Sequence, residues 1–89
     1  MISVQYSNNV NRYEPRIVDE TITTPRQFVE ETGVRLGNYD LQLNGVPLGR
    51  GEVDNTFDSI IQREDFNKDL EFCLAGVKPS NGGTLVRVA

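Results

Sequence analysis

The spacing of apolar residues changes twice along this chain, and this change limits the folds that it can adopt. Residues 2–6 alternate apolar and polar side chains, which is typical of a β-strand with one buried face. Residue types that are typical of the start of a helix follow near Thr24. The alternation of apolar and polar side chains returns over residues 39–43 and 70–77. A helix with strands on both sides of it in this order predicts an α+β domain with a mixed sheet.

The first half of the chain predicts a hairpin followed by a helix. A second extended run, residues 13–21, follows a turn-prone stretch rich in Asn, and Pro15 places that run at a sheet edge because proline lacks an N–H. We expect Ile17 and Ile22 to join the core. The helix start is indicated by the run Thr24-Pro25-Arg26-Gln27, which has the residues of a capping box, and the helix end by Gly33.

The second half predicts a tight hairpin, a helical turn and a last strand. Asn44-Gly45 is typical of a type I′ turn, since both residues tolerate positive φ. We expect one turn of helix in residues 53–61, capped by Asp54 or Asn55. In the last strand the inward residues are predicted to be Leu70, Phe72 and Leu74, and those of the opposite face are Glu71, Cys73 and Ala75.

Composition excludes several classes of function. The 89 residues include no histidine and one cysteine, Cys73, which removes the common nucleophile pairs and most metal sites. We therefore expect no enzyme activity, no catalytic residue, no cofactor and no metal. Cys73 is interpreted as a small sheet residue, because nothing in the sequence activates it. A lone thiol suits a reducing compartment, so a cytoplasmic location is expected.

The charge is acidic, at −4, and its carboxylates are concentrated in residues 52–71. One interpretation is a solvated surface connection, and the alternative is a docking surface for a basic protein. A nucleic-acid partner is not expected, because the chain lacks an excess of basic residues. A membrane partner is not expected either, because no apolar run approaches the length of a membrane helix.

Three stretches together resemble the ubiquitin-like β-grasp family, in its small bacterial or phage form. They are the capped helix from Thr24, the strand–turn–strand of residues 41–48, and the run from Gly51 into the last strand. The resemblance covers residues 1–77 and implies a sheet of four or five strands with one helix packed across it. Residues 78–89 would form a C-terminal extension that is flexible or strand-forming.

The resemblance also implies function. Family members bind proteins through the exposed sheet face, and the corresponding residues here are Gln42, Glu71 and Cys73. Together with Ala75 on the same face, they are the predicted contact residues. We therefore expect a non-catalytic protein-interaction module. The first alternative is a modifier or sulfur carrier activated at Gly82-Gly83 after a protease removes residues 84–89. The second is a self-assembling structural subunit that pairs through its C-terminal tail. The protein itself is expected to be a monomer or a weak homo-oligomer that associates through residues 84–89.

Overall fold

Over residues 1–37 and 39–77 the chain forms one mixed five-stranded sheet with two short helices. A computed structural model describes residues 1–37 and 39–77. In chain order the elements are β1 (Ile2–Ser7), β2 (Arg16–Val18), α1 (Pro25–Glu31), β3 (Asp40–Leu43), β4 (Val46–Pro47), a 3₁₀ turn (Glu52–Asp54), α2 (Phe57–Arg63) and β5 (Glu71–Val77). The predicted α+β class is therefore confirmed.

The last strand enters the sheet between β1 and β3. The strand order is β2-β1-β5-β3-β4, so the two sequential hairpins flank β5. β5 runs parallel to β1 and antiparallel to β3, and both hairpin pairs are antiparallel. This arrangement is compatible with a β-grasp layout. It contains a second helix, α2, where the sequence predicted a single turn.

The core lies on one face of the sheet, under both helices. The alternating pattern of β1 places Ile2, Val4 and Tyr6 on that face, as predicted. The other buried side chains from the sheet and the helices include Phe28, Val29, Leu41, Leu43, Phe57, Ile60, Ile61, Phe72 and Leu74. Two edge-to-face aromatic pairs, Phe28 with Phe57 and Phe66 with Phe72, join the helical layer and the α2–β5 connection to the core.

Three residues predicted for the core are exposed. Ile17 is 67% exposed because it pairs with Ser3 on the face away from the helices. Ile22 is 70% exposed because it lies in a turn, where its N–H donates to the carbonyl of Asp19. Leu70 is 47% exposed because it precedes β5 in a turn closed by Asn67. The prediction for these three residues was wrong.

Helix α1 begins as predicted. Thr24 Oγ1 accepts a hydrogen bond from the N–H of Gln27 at 3.1 Å, and Pro25 occupies the first helical position. The Gln27 side chain donates along the helix to Glu31, so it does not complete the reciprocal capping box. After the helix, Gly33 has a φ of +89°, which is the left-handed conformation that glycine adopts readily.

Helix α2 is capped by Thr56, and the predictions of Asp54 or Asn55 were wrong. Thr56 Oγ1 accepts from the N–H of Ser59 at 3.3 Å. Asp54 instead forms an ion pair with Arg26 of α1, with 2.7 Å between Nε and Oδ1. The Asn44-Gly45 turn is confirmed, since these residues have φ values of 49° and 84°.

Candidate functional site

The sheet face opposite the helices is the candidate functional site, and we call it the exposed sheet face. In the strand register, Glu71 pairs with Ser3 and Cys73 with Gln5 across β1. Ala75 lies between Ser7 of β1 and Gln42 of β3. By strand alternation the face comprises Ser3, Gln5, Ser7, Ile17, Asp40, Gln42, Pro47, Glu71, Cys73, Ala75 and Val77.

The fold brings the four predicted contact residues together. Glu71, Cys73 and Ala75 follow one another along the central strand β5, and Gln42 lies beside Ala75 on β3. Glu71 and Cys73 are exposed, whereas Gln42 and Ala75 are half-buried. This region of the face is therefore small and polar in its side chains and carries a carboxylate at one end.

The backbone around Cys73 is held by Asn44 at the end of β3. The Cys73 N–H donates to Asn44 Oδ1 at 2.7 Å, and the Asn44 N–H donates to the Cys73 carbonyl at 2.9 Å. The thiol is free and exposed. Within residues 1–37 and 39–77 no group of three potential metal ligands lies together. The two hydrogen bonds with Asn44 therefore fix the main chain at an exposed position of β5.

The acidic segment 52–71 is largely paired within the molecule. Arg63 forms ion pairs with Glu52 and with Glu64, and Lys68 lies 2.5 Å from Asp58 Oδ1. Asp54 pairs with Arg26, as described above. The carboxylates of this segment without an ion pair among the described residues are Asp65, Asp69 and Glu71. Two of these, Asp69 and Glu71, therefore leave unpaired carboxylates at the start of β5, where Glu71 lies on the exposed sheet face.

Glu20 is a buried carboxylate that the sequence did not single out. It is 7% exposed, and its partners are the α-ammonium of Met1 at 2.8 Å and Lys68 at 3.7 Å. The Met1 ammonium is the main cause that lowers the pKa of Glu20, and the charge of Lys68 acts in the same direction. Met1, Glu20 and Lys68 are far apart in the sequence and are brought together only in the folded chain, so no local sequence pattern indicated this contact.

A shallow groove of about 340 Å³ lies beside β2 and the end of α1. Its lining residues are Tyr13, Glu14, Pro15, Arg16, Glu31 and Thr32. The Arg16 guanidinium stacks 4.6 Å from the Phe28 ring centroid and donates to the Phe28 carbonyl at 3.3 Å. A guanidinium nitrogen of Arg16 also lies 3.6 Å from Glu31 Oε1. The positive charge that lines the groove is therefore already paired with residues of α1.

The remaining predicted site residues, Gly82 and Gly83, lie outside the described residues, as does the 84–89 segment. Comparison with protein-family models, curated proteins and solved structures found no match to this chain. Among the described residues, none of the helices has the length and apolar character needed to cross a membrane.

Proposed function

We propose that this chain is a ubiquitin-like β-grasp domain that acts as a non-catalytic protein-interaction module. The strand order β2-β1-β5-β3-β4, with β1 and β5 parallel at its centre, supports the ubiquitin-like part of the proposal. The packing of α1 against one face of that sheet supports it as well. The binding part of the proposal depends on the opposite face.

The observation that carries the proposal is the grouping of Gln42, Glu71, Cys73 and Ala75 on the exposed sheet face. Both helices pack on the other side, so these side chains form a broad surface without a covering element among the described residues. Sheet surfaces with small side chains allow a partner to approach the backbone closely. The contact at Cys73 is preorganised, because Asn44 fixes its main chain, and preorganisation reduces the entropy lost on binding.

Charge favours a protein partner with a basic contact surface. Glu71 lies on the exposed sheet face. Asp69, two residues earlier in the sequence, forms no ion pair within the described residues. Asp40, at the start of β3, adds a second carboxylate near the other end of the face. Complementary charge accelerates association and selects among partners, so a basic rim on the partner would match this surface.

A crosslinking experiment tests the proposal at the face itself. The single cysteine, Cys73, is exposed there and accepts a maleimide-linked photocrosslinker without mutation. The matched control is a Cys73→Ser/Ser59→Cys double variant, which moves the label to the exposed N-terminal turn of α2. Both labelled proteins are photolysed in extract of the source cells, and crosslinked products are compared by mass spectrometry.

We expect a discrete protein adduct from the Cys73 label that is weak or missing from the Ser59 position. Its yield should fall with Glu71→Lys, because that change reverses the charge beside the label. Equal adducts from both positions would indicate nonspecific capture and contradict the proposal. A specific adduct from the Ser59 position alone would move the binding surface to the helical side.

Self-assembly is a second candidate function, supported by the edge of β2. In the described part of the chain, no strand pairs with the outer edge of β2. An open edge can accept a strand from another molecule, such as residues 84–89 of a neighbouring copy. Light scattering at two concentrations, with and without residues 84–89, tests this candidate. A mass that depends on neither concentration nor the segment would contradict it.

Activation at Gly83 remains a further proposed alternative. It requires removal of residues 84–89, because a modifier or sulfur carrier would react through a terminal Gly82-Gly83. Intact-mass measurement of the protein from its own cells distinguishes this alternative. A species that ends at Gly83 would support it, and a population that consists of the uncut chain would contradict it.

A further inference from the structure

The turn between β3 and β4 places an asparagine in a chemically reactive sequence and then restrains it. Asn44 and Gly45 are both in the left-handed region, with φ values of 49° and 84°. Gly45 is exposed, and no atom lies within 4 Å of the position that a Cβ on it would occupy. Because glycine has no side chain, residue 45 places no side-chain atom beside the peptide nitrogen that follows Asn44.

Two hydrogen bonds fix Asn44 to the neighbouring strand. Its side-chain oxygen accepts from the Cys73 N–H at 2.7 Å, while its own N–H donates to the Cys73 carbonyl at 2.9 Å. The side-chain amide thus takes the place of a main-chain carbonyl and extends the β3–β5 pairing by one residue beyond Leu43 and Leu74. While both bonds persist, the side-chain carbon of Asn44 is held toward β5.

We propose that Asn44 is a deamidation site whose reaction is gated by opening of the Asn44–Cys73 contact. In this reaction the Gly45 peptide nitrogen loses its proton and attacks Asn44 Cγ, forming a new C–N bond. The Cγ–Nδ2 bond then breaks, and the amide nitrogen leaves as ammonia with the transferred protons. Water opens the resulting succinimide ring at either carbonyl, giving aspartate or isoaspartate.

The two products have different consequences at this position. Aspartate retains an oxygen that can accept from the Cys73 N–H, and it adds a negative charge at the edge of the sheet. Isoaspartate inserts a methylene group into the main chain, which is incompatible with a two-residue turn that keeps the β3–β4 register. The modification is therefore a local conversion that changes charge in one product and hairpin geometry in the other.

The chain contains its own reference site for the experiment. Asn81-Gly82 is the same dipeptide and lies outside the described residues. The full-length protein is incubated in mildly alkaline buffer, in native and fully denaturing urea conditions, and both sites are followed by peptide mapping. Hydrogen exchange of the Cys73 amide is measured on the same protein, because this amide is the donor to Asn44 Oδ1.

In denaturing urea we expect similar deamidation rates at Asn44 and Asn81. In native buffer we expect Asn44 to react about tenfold or more slowly than it does in urea, because only the opened turn reacts. Sub-denaturing urea should raise Asn44 deamidation and Cys73 amide exchange in parallel. The variant Leu48→Ala, which empties a buried position after β4, should raise both rates by the same factor.

Each alternative result has a defined meaning. An equal Asn44 rate in native buffer and in urea would overturn the gating. Absence of product at Asn44 in urea, while Asn81 reacts, would overturn the site. Faster Cys73 exchange without faster deamidation, in sub-denaturing urea or in the Leu48→Ala variant, would show that the two processes do not share one opening.

Discussion

Gly76 of β5 lies directly against the phenol ring of Tyr6 on β1, and no side chain fits between them. A Cβ placed on Gly76 would overlap Tyr6 Oη and would lie 3.1 Å from Cζ. Tyr6 pairs with Leu74 in the parallel register, so its ring extends diagonally along β5 toward Gly76. Since φ of Gly76 is outside the positive region, the close approach of Tyr6, and not backbone conformation, requires glycine here.

The variant Gly76→Ala is therefore expected to lower the free energy of unfolding. Tyr6 is fully buried, so its ring cannot move aside without disturbing the core. Overpacking of this kind costs about 1–3 kcal/mol. Urea denaturation followed by circular dichroism measures the change. The same variant in a Tyr6→Phe background should cost less, because Oη is the nearest atom, and an equal cost in both backgrounds would contradict the proposed clash.

Elements determined by local chemistry could be predicted from the sequence. The alternation of residues 2–6 is sufficient to define a strand and its buried face, and Thr24 and Pro25 define the start of α1. The Asn44-Gly45 turn is likewise set by the φ values that its residues tolerate. The two-residue alternation of side chains along β5 also predicted that Glu71 and Cys73 share the face opposite the core. This prediction does not depend on which strands lie beside β5.

Features determined by non-local packing could not be predicted in the same way. The exposure of Ile17 follows from the position of β2 at the edge of the sheet with its outward face uncovered, and the alternating pattern alone does not contain this information. Thr56 was missed because Asp54 and Asn55 are equally good caps by residue type. The contact of Glu20 with Lys68 joins distant parts of the chain, so no spacing rule indicates it.

A matched pair of substitutions tests the revised core. Ile17→Val should leave the free energy of unfolding within about 0.5 kcal/mol of the original, because the side chain is exposed. The same change at the buried position, Ile60→Val, should cost about 0.5–1.5 kcal/mol. Chemical denaturation of both variants gives the comparison. A larger loss at Ile17 than at Ile60 would restore the sequence-based assignment.

The cap of α2 can be tested by two alanine substitutions in adjacent residues. Thr56→Ala removes the hydroxyl that accepts from the Ser59 N–H, and it should cost about 1 kcal/mol. Asn55→Ala is the control, since its exposed side chain makes no hydrogen bond within the described residues. Thermal and urea unfolding should separate the two variants. The opposite order of stability would assign the cap to Asn55.

The buried Glu20 carboxylate predicts a loss of stability in acid. The hydrogen bond from the Met1 ammonium, followed by the one from the Glu20 main-chain N–H, holds the pKa of Glu20 in the folded protein below its ordinary value of 4.5, and the charge of Lys68 acts in the same direction. The unfolded chain therefore binds the proton more tightly, so this contribution is complete above pH 4.5 and is lost as the pH falls through the lower folded-state pKa. The pKa of Asp19 is lowered as well, by a hydrogen bond from the Thr21 hydroxyl, so Asp19 contributes to the same loss of stability in acid.

The variant Glu20→Gln separates the contribution of Glu20 from that of Asp19. The free energy of unfolding is measured against pH for both proteins and the two curves are subtracted, which removes Asp19 because it titrates in both. In urea titrations we expect the original protein to be more stable than Glu20→Gln at neutral pH, and we expect this difference in free energy of unfolding to narrow below pH 4.5. A difference that stays constant with pH would contradict the ion pair.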